Sequence, residues 1–88
     1  MTLKHKTIDV SSSPTHLTNW NVLRSRSSVI FQNVCDVNIF IGNSSVSTDD
    51  YGFRLLPEQT LSIELAAYEE IYAVSFVPSR IAILVVED

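Results

Sequence analysis

The sequence predicts an all-β fold, a single small antiparallel β-sandwich or barrel with an extended N-terminal arm. Two observations carry this expectation. Short β-branched and aromatic runs place apolar residues at every second position, the period that puts them on one face of a strand. Between the runs lie clusters of Ser, Asn, Asp, Gly and Pro, which supply turns, and no heptad or internal repeat interrupts the series. At 88 residues the chain has room for one compact unit.

The first candidate strand, Leu3 to Val10, stops at Ser11-Ser12-Ser13-Pro14, where hydroxyls and proline favour a turn. From Thr15 to Asn21 polar residues surround Leu17 and Trp20, and an indole is costly enough to leave in water that Trp20 is expected to pack on something. Residues 1–27 are therefore read as an arm and lead-in strand, and residues 28–88 as the sandwich core of one domain. In Ser28 to Asn33, Val29 and Phe31 share one face while Ile30 and Gln32 share the other. After a turn at Val34-Cys35-Asp36, Val37, Ile39 and Ile41 alternate with Asn38 and Phe40, and the two strands are expected to form an antiparallel hairpin.

Gly42-Asn43-Ser44-Ser45 begins a long surface loop that lasts to Gly52, before Phe53 and Leu55 resume the apolar pattern. Pro57-Glu58-Gln59 introduces a turn, and Leu61, Ile63 and Leu65 follow at strand period. Leu61, Leu65, Tyr68 and Tyr72 also have helical spacing, which makes a helix over this stretch the local competitor. Ile71 to Phe76 and Arg80 to Val86 complete the set. The last run is apolar on both faces, as expected of a strand central in the core or covered outside by another subunit.

Composition excludes several functions. With 45% apolar and 18% charged residues the chain can build a core and is not of the disordered class. A net charge of −4 is too acidic for a dedicated nucleic-acid binder, whose affinity rests on Lys and Arg at phosphates. No apolar run approaches the roughly 20 residues that span a bilayer, and Met1-Thr2-Leu3-Lys4-His5-Lys6 leads into no signal-peptide core, so a protein with no membrane partner is expected. The single cysteine, Cys35, has no internal disulfide partner, fits a reduced assembly environment and is read as an inert, half-buried thiol between Val34 and Val37.

Candidate chemistry is sparse, and no enzyme is expected. His5 and His16 are not accompanied by a nucleophile-elbow motif. Asp49-Asp50, with Asp36, has the oxygen ligands calcium prefers, but adjacent loop aspartates are most simply solvated, and neither metal nor cofactor is expected. Gly42 and Gly52 are the only glycines and belong to no phosphate-binding fingerprint. Arg24, Arg26, Arg54 and Arg80 suit protein interfaces, where the guanidinium fork pairs with carboxylates. Glu69-Glu70 and Glu87-Asp88 are solvated edges or their partners in a neighbouring copy.

From Arg26 onward the order of pieces is informative: Ser28-Val29-Ile30-Phe31-Gln32-Asn33, Val37-Asn38-Ile39-Phe40-Ile41-Gly42, Val46-Ser47-Thr48 with Gly52-Phe53-Arg54-Leu55, then Glu70-Ile71-Tyr72-Ala73-Val74 and a terminal apolar strand. In this order the chain resembles small phage virion proteins and appended phage domains of β-sandwich or barrel type, and Thr7-Ile8-Asp9-Val10 looks like their lead-in. It departs from them at Pro57-Glu58-Gln59, where such sequences tend to carry a glycine.

The resemblance implies a non-enzymatic virion protein with docking surfaces and no catalytic residues. A free-standing chain of this length fits a head decoration (cement) protein, made in the host cytoplasm and bound on the capsid surface to the major capsid protein, with a homotrimer as the usual geometry. The rival readings are a tail or head-to-tail connector, and a host-binding module using the Gly42 to Gly52 loop with Tyr51 and Phe53. Ile8, Leu17 and Trp20 are the expected docking arm, and Arg24, Arg26, Tyr51, Phe53 and Arg54 the other expected interface residues.

Overall fold

The computed structural model describes residues 2–87. Eight strands follow in chain order: β1 (Thr2–Val10), β2 (Thr15–His16), β3 (Ser27–Asn33), β4 (Ile39–Gly42), β5 (Phe53–Leu55), β6 (Thr60–Leu65), β7 (Tyr72–Val74) and β8 (Ser79–Glu87). They form two four-stranded sheets, ordered β1-β8-β3-β6 and β2-β7-β4-β5, with antiparallel pairing throughout. Every connection except that between β4 and β5 crosses from one sheet to the other, which is the jelly-roll arrangement.

The alternation in the sequence sets which side chains meet between the sheets. Val29 and Phe31 of β3, Ile39 and Ile41 of β4, Leu55 of β5 and Ile81, Ile83 and Val85 of β8 are all buried in one core. Leu17 and Leu23, from the loop between β2 and β3, close one end of it. In β8, Ile83 and Val85 therefore point inward, and Ala82, Leu84 and Val86 lie half-buried on the outer face of the central strand.

Three expectations change. Among the described residues 2–27 there is no free arm: β1 pairs with β8 from Thr2↔Glu87 to Val10↔Ser79, and β2 pairs with β7 in the other sheet. Polar Lys4, His5 and Lys6 obscured this because an edge strand needs apolar residues only where its inner face meets the core, here at Ile8 and Val10. Met1 lies outside the described residues. The hairpin expected of β3 and β4 does not form, because β8 and β6 occupy both edges of β3 and leave β4 to face it across the core. The helix that competed over Leu61 to Tyr72 is absent among the described residues, since β6 turns Leu61, Ile63 and Leu65 to the core side and breaks at Leu65.

Asn33 connects the two sheets. Fully buried at the end of β3, its Nδ2 donates to the carbonyls of Val37 at 2.6 Å and of Leu55 in β5 at 3.0 Å. Its Oδ1 accepts from the Cys35 N–H at 2.9 Å, while its backbone accepts from Glu58 and donates to Gln59. One residue thus holds the β3–β4 crossing, the end of β5 and the β5–β6 turn.

That turn has a conformational cost. Glu58 has φ 66°, in the left-handed region where a Cβ is penalised. Tyr68, in the β6–β7 turn, has φ 63° and is held by its N–H to the Leu23 carbonyl at 2.7 Å.

Two stability predictions follow from these positions. Asn33→Ala leaves the Leu55 and Val37 carbonyls and the Cys35 N–H without their partner and should cost about 3 kcal/mol, read as the loss in chemical denaturation. Glu58→Gly should stabilise the domain by roughly 0.5–1 kcal/mol, the relief of the left-handed penalty less the added freedom of the unfolded chain. A destabilised Glu58→Gly protein in the same assay would show that the turn is not strained.

Candidate functional site

The outer face of the second sheet carries an aromatic strip, and its construction begins with a phase mismatch in β4. Ile39 and Ile41 point into the core, so Phe40 must point out, yet it is only 5% exposed. The β4–β5 loop covers it. Val46 and Val74 pack on Phe40, the Tyr51 ring lies 4.8 Å away at 50°, and Phe76 meets it edge-on at 5.7 Å. Tyr72 joins the same cluster and stacks on His16 at 4.9 Å and 17°, while His16 Nε2 sits 3.0 Å from the Thr18 hydroxyl.

The covering loop is held by its own polar groups. Asn43 Oδ1 accepts from the Ser45 N–H and hydroxyl, and Val46 N–H donates to the Asn43 carbonyl at 3.0 Å. Ser47 and Asp50 exchange backbone hydrogen bonds, Ser47 Oγ also accepts from the Asp49 and Asp50 N–H groups, and Gly52 N–H returns the chain to the Ile41 carbonyl at 2.9 Å. Gly42 suits the close approach, because a Cβ there would lie 3.1 Å from Val46 Cγ2 and Val46 would have to shift. The result is an internally hydrogen-bonded loop from which Tyr51 (41% exposed) projects, with Phe76 (71% exposed) of the β7–β8 turn beside it and Arg54 exposed opposite Phe40 across the β4–β5 pair.

The outer face of the first sheet is apolar in a different way. Cross-strand rungs set Leu3 beside Val86 and His5 beside Leu84, with Ile30 of β3 completing the latter row. A shallow depression of about 280 Å³ between His5, Ile30, Gln32, Thr60, Ala82 and Leu84 marks this face.

The residues singled out from the sequence are dispersed. Leu17 is fully buried, and Ile8 and Trp20 are half-buried against the core, the indole N–H donating to the Leu17 carbonyl at 2.8 Å. Arg24 is exposed beside Lys4, Trp20 and Glu87, and Arg26 pairs with Glu64 at 2.9 Å on an exposed part of the first sheet. Phe53 packs half-buried against the core. Tyr51 and Arg54 are brought together on either side of Phe40.

Phe40, Tyr72, His16 and Phe76 were not among the expected site residues. The signal was present in Phe40, an aromatic out of phase with its two isoleucines, and in the apolar turn Phe76-Val77.

Chemically active groupings are few. Among the described residues no three His, Cys, Asp or Glu side chains are grouped to hold a metal ion. Cys35 is half-buried, as expected, and its Sγ accepts from the Arg80 N–H at 2.9 Å. Glu87 accepts from Asn21, and Asp88 lies outside the described residues. What this arrangement offers is contact: rigid apolar and aromatic area with an arginine at its margin.

No family model and no curated protein matches the sequence. Among solved structures the chain is similar to one from the Bacillus endospore appendages, described as a novel family of disulfide-linked pili. The TM-score is 0.53 at 8% identity, over 99% of this chain and 88% of that one. At that identity the likeness is one of fold.

The contact reading of the strip carries its own test. Phe76→Ser should leave thermal stability within about 0.5 kcal/mol, as expected of a largely exposed side chain. Phe40→Ala should cost about 3 kcal/mol because it empties a packed outer cluster. Equal losses for the two would show that Phe76 is structural and not a contact residue.

Proposed function

We propose that this chain is a non-enzymatic structural subunit of a phage particle and, specifically, a head decoration protein that docks on the major capsid protein as a homotrimer. The observation that carries the docking role is the aromatic strip, in which Tyr51 of the β4–β5 loop and Phe76 of the β7–β8 turn stand exposed near Arg54 of β5, with the loop held by its own hydrogen bonds in the free chain. Aromatic residues and arginine are the side chains that dominate binding energy at protein interfaces, and a preordered surface avoids the entropy cost of fixing a loop on binding. What supports the virion setting is the resemblance of the ordered sequence pieces to those of small phage structural proteins. The fold likeness to a pilus protein agrees with a jelly roll used as a building block.

A decoration protein of this kind acts by linkage. It binds the assembled shell and not the separated subunits, so its binding free energy adds to shell stability, by about 2.7 kcal/mol per site at a hundredfold excess over Kd. Three copies bound together multiply modest contacts through effective concentration.

The decisive experiment is co-sedimentation of the purified chain with expanded and unexpanded phage heads, alongside its mass in solution. Saturable binding to expanded heads is expected, weakened at least about tenfold by Phe76→Ser with folding unchanged. Binding confined to one vertex or to tails would replace this reading by the connector one. Absence of binding to any particle would remove both.

A further inference from the structure

The first sheet ends on two open edges, β1 on one side and β6 on the other, and they are complementary. Edge strands of stable monomers are normally blunted by proline, lysine or a bulge; β6, Thr60-Leu61-Ser62-Ile63-Glu64-Leu65, carries neither proline nor lysine, while β1 carries Lys4 and Lys6, which guard it against a like edge but suit an acidic one. The bond from Asn33 N–H to the Gln59 carbonyl fixes the alternation of the β3–β6 ladder, so Leu61, Ile63 and Leu65 turn their backbone groups to β3. Thr60, Ser62 and Glu64 then direct theirs to the open edge. By the same alternation, carried through β3 and β8, His5, Thr7 and Asp9 of β1 face the opposite edge.

The geometry points to head-to-tail association of this chain, in which β6 of one copy pairs with β1 of the next to continue the sheet. The partner is a second copy of the same chain. Strand direction permits it: β1, β8, β3 and β6 alternate, so a neighbour in the same orientation presents its β1 antiparallel to β6.

Charge selects this pairing over the symmetric ones. β1 carries Lys4, His5 and Lys6, whereas β6 carries Glu64 and is followed by Glu69 and Glu70. A β1–β1 pair brings two copies of the Lys4-His5-Lys6 stretch along one edge and a β6–β6 pair offers Glu64 no basic residue of β6, whereas β6 against β1 sets acid beside base.

One register satisfies both faces. With Thr7 opposite Ser62 of the next copy, His5 falls opposite Glu64 and Asp9 opposite Thr60 on the outer face, and Lys6 opposite Ile63 and Ile8 opposite Leu61 on the inner. Both Arg26 contacts to Glu64 fall on Oε2, leaving Oε1 to accept from the imidazole. Beside β6 lies an apolar groove of about 320 Å³ lined by Phe53, Leu61, Ile63 and Ile71 with Glu70 at its margin. In this register the stem of Lys6 from the next copy runs along that groove with its ammonium toward Glu70. Contacts of this heterologous type close into a ring or run on as a filament according to the rotation between copies.

This extends the homo-oligomer part of the function proposed above, and its test uses no phage heads, so either can fail alone. The full chain is measured by native mass across micromolar to millimolar concentration, as wild type and as Ser62→Pro, which removes an N–H at the open edge without touching the β3 ladder. Assembly into a ring or filament is expected, with dissociation at least tenfold easier in Ser62→Pro.

Cross-linking gives a second readout that does not depend on that variant folding. In a Cys35→Ser background, a Thr7→Cys chain mixed with a Ser62→Cys chain should form a disulfide between copies, and Thr7→Cys alone should form far less. A monomer at every concentration overturns the proposal. So does an oligomer indifferent to Ser62→Pro, or equal cross-linking of Thr7→Cys with itself.

Discussion

The amide of Asn33 is the constraint on which the two-sheet arrangement depends. A sandwich core is non-directional, since apolar area is buried equally well by many relative placements of two sheets. Asn33 adds direction. From the end of β3 in the first sheet it reaches the Leu55 carbonyl of β5 in the second, and it binds the crossing chain at Val37 and Cys35. Because the residue is fully buried, each of those bonds replaces one that water cannot make, so the alternatives carry the desolvation cost of the orphaned groups. The neighbouring β5–β6 turn tolerates its left-handed Glu58 in the same setting, with the Glu58 N–H bound to the Asn33 carbonyl.

Around this tie the domain has more apolar surface than one core uses. The inner layer joins the sheets, while Phe40, Val46 and Val74 form a separate cluster outside the second sheet and Ile30, Leu84 and Val86 stand half-buried outside the first. A chain of 88 residues buries a modest share of its surface on folding, so apolar area left outside is expensive unless something covers it. The two outer faces differ in kind. The first sheet carries Ile30, Leu84 and Val86 on its outer face and is flanked by open backbone edges, suited to extending the sheet. The second presents rigid rings and an arginine, suited to a shaped partner surface. The two proposed modes of contact, one through backbone and one through side chains, thus draw on different faces of one small fold.

Much of the strand content was legible because period-two alternation survives wherever one face is buried. β3, β4, β6 and β8 were readable to within a residue or two for that reason. β7 is shorter than its apolar run, Tyr72–Val74, since Ser75 leaves the strand to bind Ser79 and the Val77 carbonyl in the turn. Of the residues expected at an interface, Tyr51 and Arg54 are exposed, as turn chemistry and residue type indicate for a loop and its flank. Leu17 and Trp20 misled as arm residues, because apolar residues amid polar ones look the same whether they cap a core or meet a partner. Phe76 escaped notice because its partner Phe40 belongs to a strand more than thirty positions earlier.

By itself, the sequence determined the all-β class, the single domain, the phases of the principal strands and the position of the long loop, all of which follow from local alternation and turn chemistry. Tertiary structure alone decided which strands pair. In a jelly roll nearly every connection crosses between sheets, so neighbours in the chain are not neighbours in the ladder, and β1 finds β8 at the other terminus. It also decided which apolar residues face outward. Alternation separates two faces of a strand but does not say which meets the core until the opposite sheet is in place, as Leu84 and Val86 demonstrate.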